Sequence, residues 1–177
     1  MYFMKQIHNR KGLRLYGYDY SMAGYYFITI CAQNRKCMFG KIHNGQMFAN
    51  DAGILVENIW NKLPQRFPNI ELDVFIVMPN HFHGIIAIMD NDVGAIHELP
   101  LHSRTTRRRM LLPKIIGYFK MNTAKQINSI HGTYGKIWQR NYYDHIIRNE
   151  NDLNRIREYI INNPNKWNTD TNNINGG

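Results

Sequence analysis

Hydrophobic and polar positions change period several times along the chain, and each change predicts an element. From Gly24, "GYYFITICA" alternates aromatic and β-branched residues, the period of a strand. "CMFGKIHNGQMFAN" then sets Asn44 and Gly45 between two short apolar runs, a hairpin signal. In "NDAGILVENIWNKLP" the residues Ile54, Leu55, Ile59 and Leu63 recur at helical spacing, with Asn50 or Asp51 as the cap and Pro64 as the stop. Next come "IELDVFIVM" and "HFHGIIAIM", two strands joined through Pro79 and Asn80 and apolar on both faces, which predicts central positions in a sheet. Residues 90–110 mix acidic, small and basic types and predict an exposed loop. Pro113 opens a second helix carrying Ile116, Phe119, Ala124, Ile127 and Ile130, closed by Gly132. "KIWQRNYYDHIIR" predicts another strand, and "NENDLNRIREYIINN" a third helix stopped by Pro164.

The order is β, hairpin, α, β, β, α, β, α. Without the hairpin and the last helix it reduces to βαββαβ, so the expected class is α+β: a ferredoxin-like antiparallel sheet with helices on one face, an N-terminal hairpin insertion and a C-terminal helix. A length of 177 residues and an apolar share of 44% suit one domain, expected over 1–167. "NTDTNNINGG" has almost nothing to bury, so 168–177 is expected to be a disordered tail. The sequence contains neither an apolar run of membrane-spanning length nor a charged-then-apolar leader, and a soluble cytoplasmic protein is the expectation. Cys31 and Cys37 form neither a disulfide framework nor a cysteine zinc site and read as small apolar fillers.

Two features do not belong to core packing. His81 and His83 lie two apart in a strand, so their imidazoles emerge side by side on one face, a chelating arrangement. The blander reading is a pair of hydrogen-bonded histidines near a strand end. On the last helix Leu153, Ile156 and Ile160 make the inward stripe, while Tyr159 and Asn163, four apart, share a flank. A phenol is a possible covalent nucleophile, and a metal held nearby would stabilise charge developing on an attacked phosphate. Charge points the same way. Lys and Arg outnumber Asp and Glu by 22 to 13, a net +9, and Arg104, Arg107, Arg108 and Arg109 cluster in "SRTTRRRMLLPK". Eleven Tyr and three Trp offer rings on which unpaired bases can stack.

"MPNHFHG", followed far downstream by "YYDHIIRNENDLNRIREYIINNP", resembles the single-tyrosine HUH transposases of the insertion-sequence 200/605 type, and more closely their REP-associated tyrosine transposase branch. "GYDYSMAGYYFITICAQNRKCMFGKI" resembles the same branch, so the likeness runs from about Arg10 to Trp167. It implies that His81 and His83 bind a divalent metal, Mg²⁺ or Mn²⁺, that Tyr159 attacks DNA, and that Asn163 completes the metal site. Mobile members carry Gln where this chain has Asn163, one methylene shorter, and His145 is the reserve third ligand. As a structural residue, His145 would be hydrogen-bonded near Asp144. The implied activity is metal-dependent cleavage and strand transfer of single-stranded or hairpin DNA through a 5′-phosphotyrosine, by a monomer or homodimer. Arg148, Arg155 and the Arg104–Arg109 cluster are candidate phosphate contacts. The alternatives are a non-catalytic ferredoxin-like nucleic-acid-binding module and a degenerate transposase acting as a regulator.

Overall fold

The computed structural model describes residues 18–90 and 110–173. The Arg104–Arg109 cluster and most of the expected loop lie outside the described residues. Among those described, six strands and four α-helices follow in the order β1 (Gly24–Cys31), β2 (Gly40–His43), β3 (Gln46–Ala49), α1 (Asp51–Asn61), α2 (Leu63–Arg66), β4 (Ile70–Val77), β5 (His81–Ile88), α3 (Leu111–His131), β6 (Tyr143–Ile147) and α4 (Glu150–Asn162). Strands β4, β5, β1 and β6 form one antiparallel sheet in that spatial order, and β2 and β3 form a separate hairpin. With the hairpin set aside, the second, third, first and fourth strands lie side by side, which is the ferredoxin-like arrangement.

Local chemistry explains the boundaries. Asn44 and Gly45 both take positive φ, as the tight hairpin turn requires. Asn50, not Asp51, caps α1, its side chain accepting from the Gly53 amide, and Asn149 caps α4 through the Asp152 amide. Gly132 ends α3 in the left-handed conformation. Pro64 does not simply stop a helix: it sits in the first turn of α2, where its missing N–H costs nothing. α3 likewise begins at Leu111, two residues before Pro113.

The sheet separates two cores. On one face Tyr26, Ile28 and Ile30 of β1 and Phe82 and Ile86 of β5 pack against Val56 and Trp60 of α1 and Ile115 and Phe119 of α3. The buried stripe of α1 runs through Ala52, Val56, Ile59 and Trp60, leaving Ile54 exposed, because the indole of Trp60 seats between Phe82 and Phe119 and sets the helix rotation. On the other face Phe27, Ile85 and Ile147 meet Leu153, Ile156 and Ile160 of α4. Each of those aliphatic side chains contributes about 1.5–3 kcal/mol by burial, enough to fix α4 on the sheet.

Three expectations are corrected. β4 is an edge strand, not a central one, although β5 is central and buried along its whole length. The strand expected over 136–148 is confined to Tyr143–Ile147, while Trp138 makes a lone bridge to Ala32. Residues 168–173, expected to hang free, fold back onto the sheet. The chain continues from α4 into a 3₁₀ turn, Pro164–Thr169, and Asn172 then bonds to Asn80. Hydrogen bonds, not apolar burial, hold this segment, so its polar composition concealed it.

Candidate active site

α4 and the segment that follows it pack on the same face of the sheet. The helix closes over Phe27, Ile85 and Ile147, and the neighbouring row of His83, Thr29 and Tyr143, aligned across β5, β1 and β6, is left beside it. His81 and His83 project to this side because Phe82 between them projects into the main core. Their ring centroids are 4.5 Å apart.

Both imidazoles are buried, and each is oriented through its Nδ1. Asn80 donates both of its amide hydrogens to carbonyls, those of Arg35 at 3.1 Å and Asn172 at 2.7 Å. That fixes its Oδ1 toward His81 Nδ1, 2.8 Å away, so Nδ1 carries the proton and Nε2 presents a lone pair. His83 Nδ1 bonds Thr29 Oγ1 at 2.8 Å, leaving Nε2 facing the Tyr159 hydroxyl at 3.3 Å. Burial holds His81 down to about 4, with Arg35 acting the same way and Asp170 and Asn163 opposing. Burial, reinforced by His81, holds His83 well below its ordinary value. Two neutral imidazoles are therefore available as donors at neutral pH.

Asn163, immediately after α4, is buried, and its polar side chain lies close enough to His81 and Tyr159 to raise the pKa of the first and lower that of the second by hydrogen bonding. Its Oδ1, His81 Nε2 and Asp170 Oδ2 are buried without a hydrogen-bond partner among the described residues. Asp170 belongs to the segment expected to be a free tail. One ligand atom each from His81, His83 and Asp170 lies within 4.8 Å of the others. Unsatisfied buried oxygens and nitrogens are costly, and a cation resolves all of them together, so this donor set fits a divalent metal. The shell was partly hidden in the sequence: Asn80 stood in the quoted motif without an assigned task, and Asp170 carried no periodic signal.

Tyr159 stands where two grooves meet. One, of about 520 Å³, is lined by Phe27, Tyr143, His145, Arg155, Tyr159 and Lys166 among others. The other, of about 430 Å³, includes Thr29, Cys31, Arg35, His83, Tyr143 and Asn172. Burial raises the Tyr159 pKa, with Asp170 adding to the effect and Asn163 opposing it, so the phenol is protonated at rest. His145 is not part of the group formed by His81, His83 and Asp170. Its Nε2 bonds Asp152 at 2.7 Å, and Asp152 also holds Arg155, so neither the metal role nor the expected Asp144 neighbourhood describes its partner. Arg155 borders the larger groove, and Arg148 is exposed just before α4.

A ferredoxin-like sheet with a strand histidine pair facing a helix tyrosine defines the class. No protein-family model matches the chain. An uncharacterized protein of Haemophilus influenzae is 41% identical over 169 residues, spanning 93% of each chain, and this chain belongs to the same family. A putative REP-associated tyrosine transposase from the same organism is 28% identical over 150 residues, covering 84% of this chain and 74% of that one. A solved REP-associated tyrosine transposase bound to a REP hairpin shares the fold, with a TM-score of 0.53 and 21% identity across 87% of this chain and 72% of that chain. The chain thus resembles the REP-associated tyrosine transposases. Among the described residues, no helix is long and apolar enough to cross a membrane.

Proposed function

We propose that this protein is a transposase-type enzyme that cuts and rejoins single-stranded DNA beside hairpins, with Tyr159 as nucleophile. The observation that carries the reading is the Tyr159 hydroxyl 3.3 Å from His83 Nε2, at the junction of two grooves and beside a set of unsatisfied donor atoms. The related transposase bound to a REP hairpin supports the substrate class.

His81, His83 and Asn163 are the proposed ligands of Mg²⁺ or Mn²⁺. The bound ion supplies charge neutralisation at a non-bridging oxygen of the scissile phosphate. The chain's own residues do the rest. Asn80 and Thr29 lock the two rings, and α4 holds the phenol over the groove. Tyr143, exposed beside the groove, presents a ring face to a flanking base, with Arg35, Arg155 and Lys166 beside the strand's phosphates. The Tyr159 oxygen forms a bond to phosphorus while the bond to the 3′ oxygen breaks. The phenol proton passes to solvent, and the departing oxygen takes up a proton as a 3′-hydroxyl. The product is a 5′-phosphotyrosine, which another strand's 3′-hydroxyl reverses without an external energy source.

The test is incubation of the full chain with labelled hairpins bearing single-stranded flanks and Mn²⁺. Parent protein is expected to form a covalent adduct, and Tyr159→Phe to form none while binding DNA within a few-fold of the parent. An undiminished adduct from Tyr159→Phe refutes the assignment and directs attention to Tyr142 or Tyr143.

A further inference from the structure

Asp170 has one carboxylate oxygen anchored and the other turned inward. Oδ1 accepts from the Asn172 backbone amide at 2.7 Å. Oδ2 is buried, lies 3.8 Å from His81 Nε2, and has no hydrogen-bond partner among the described residues. The spacing is too long for a hydrogen bond, and the His81 proton is on the opposite nitrogen, committed to Asn80. Two lone-pair donors therefore face each other across a gap. A cation between them would satisfy both.

The segment carrying Asp170 is held from several directions. Its amide bonds the Trp167 carbonyl at 3.1 Å, and the Trp167 ring stacks on His81 with centroids 6.1 Å apart. Arg35 donates to the Thr171 carbonyl at 2.6 Å, and Asn80 donates to the Asn172 carbonyl. Asn80 thus sets the His81 tautomer and clasps the segment with the same amide group. The carboxylate is positioned by the residues that orient the imidazole.

Donor chemistry gives the carboxylate a purpose. Two imidazoles and an amide oxygen make a neutral site, and hard divalent ions favour anionic oxygen. The short Asn163 side chain supplies an uncharged oxygen only. A carboxylate restores the negative charge that Mg²⁺ or Mn²⁺ prefers.

We propose that Asp170 is a ligand of the divalent metal held by His81 and His83, delivered by the C-terminal segment that Asn80 and Arg35 clasp to the sheet. The inference rests on the metal-centre reading above. It is tested by titrating Mn²⁺ alone into the full-length parent, Asp170→Asn and Asp170→Ala by calorimetry, with thermal unfolding of each in EDTA and in saturating Mn²⁺. The expected result is Mn²⁺ affinity weakened at least tenfold in both variants. The Tm of Asp170→Asn in EDTA should be equal to or above the parent's, because a buried charge is removed while the oxygen that accepts from Asn172 is kept, and the Mn²⁺-induced rise in Tm should shrink in both variants. Parent-like Mn²⁺ affinity in Asp170→Ala overturns the inference while leaving the metal centre intact. Should that variant also cut DNA faster, the segment is a plug and not a ligand carrier. If Asp170→Ala fails to fold, Asp170→Asn decides, and parent-like affinity there together with a lowered EDTA Tm assigns a purely structural role. A parent chain that binds no Mn²⁺ overturns both this inference and the metal-centre reading.

Discussion

The two dry imidazoles make metal-free stability fall in acid, and the size of the effect follows from His81. In the unfolded chain its imidazole titrates near 6.5, and in the folded protein burial holds it at about 4. Above pH 6.5 neither state is protonated and this group adds no pH dependence. Between 6.5 and 4 the unfolded chain takes up a proton that the folded protein refuses, so stability declines as pH falls. With 1.36 kcal/mol per unit of pKa difference, the loss is about 2 kcal/mol by pH 5 and approaches about 3 kcal/mol below pH 4. His83 is shifted in the same direction and adds to it. The assay is urea unfolding in EDTA at pH 7 and pH 5, comparing parent with His81→Gln. The substitution changes stability at both values, so the informative quantity is the difference between them. His81→Gln should lose about 2 kcal/mol less than the parent on going from pH 7 to 5. Equal losses in the two proteins would show that His81 is as wet when folded as when unfolded, and the account of its oriented lone pair would fall.

Two further outcomes are expected. Gly84→Ala would put a Cβ 2.6 Å from the Trp60 ring and within 3.0 Å of Phe82, both locked in the main core, and is expected to destabilise by about 1–3 kcal/mol in chemical denaturation; parent-like stability would mean that this core yields easily. One oligonucleotide offered as a hairpin with a single-stranded flank should be cut in Mn²⁺, with affinity falling steeply as salt rises, whereas the same sequence as a blunt duplex should remain intact, and equal cleavage of both would mean the wrong substrate class.

The elements that the sequence displayed were those whose burial follows a simple period. β1 and β5 read as strands, the Asn44–Gly45 turn as a hairpin, and Leu153, Ile156 and Ile160 as the stripe of α4, because apolar burial imposes spacing. Legibility failed where another interaction overrode the period. Ile54 looked inward by its spacing, but Trp60 dictated the rotation of α1. β4 reads as apolar on both sides because its alternate residues face both cores, Leu72 and Phe75 the main one and Val74 and Ile76 that under α4, although the strand lies at the sheet edge. The candidate site divided in the same way. His81, His83, Tyr159 and Asn163 were visible as pairs at fixed spacings, and the structure brings them together. Asp170 was invisible because the residues that hold it act through backbone carbonyls, which carry no side-chain signature.

β5 shows why a histidine pair can occupy a strand buried along its length. Its alternate residues answer to different demands: Phe82 and Ile86 fill the main core, with Gly84 leaving room for Trp60, while His81 and His83 meet neighbours that accept or share their Nδ1 bonds. Burying an imidazole with one nitrogen satisfied leaves the other as the exceptional atom, and here both remaining nitrogens turn into the same space. The main core thereby sets the direction of the site. A displacement of Phe82 tilts the backbone between the histidines, and a displacement of Asn80 frees both the His81 ring and the segment that carries Asp170. The geometry of the histidine pair therefore depends on packing one layer below it, on the opposite face of the sheet.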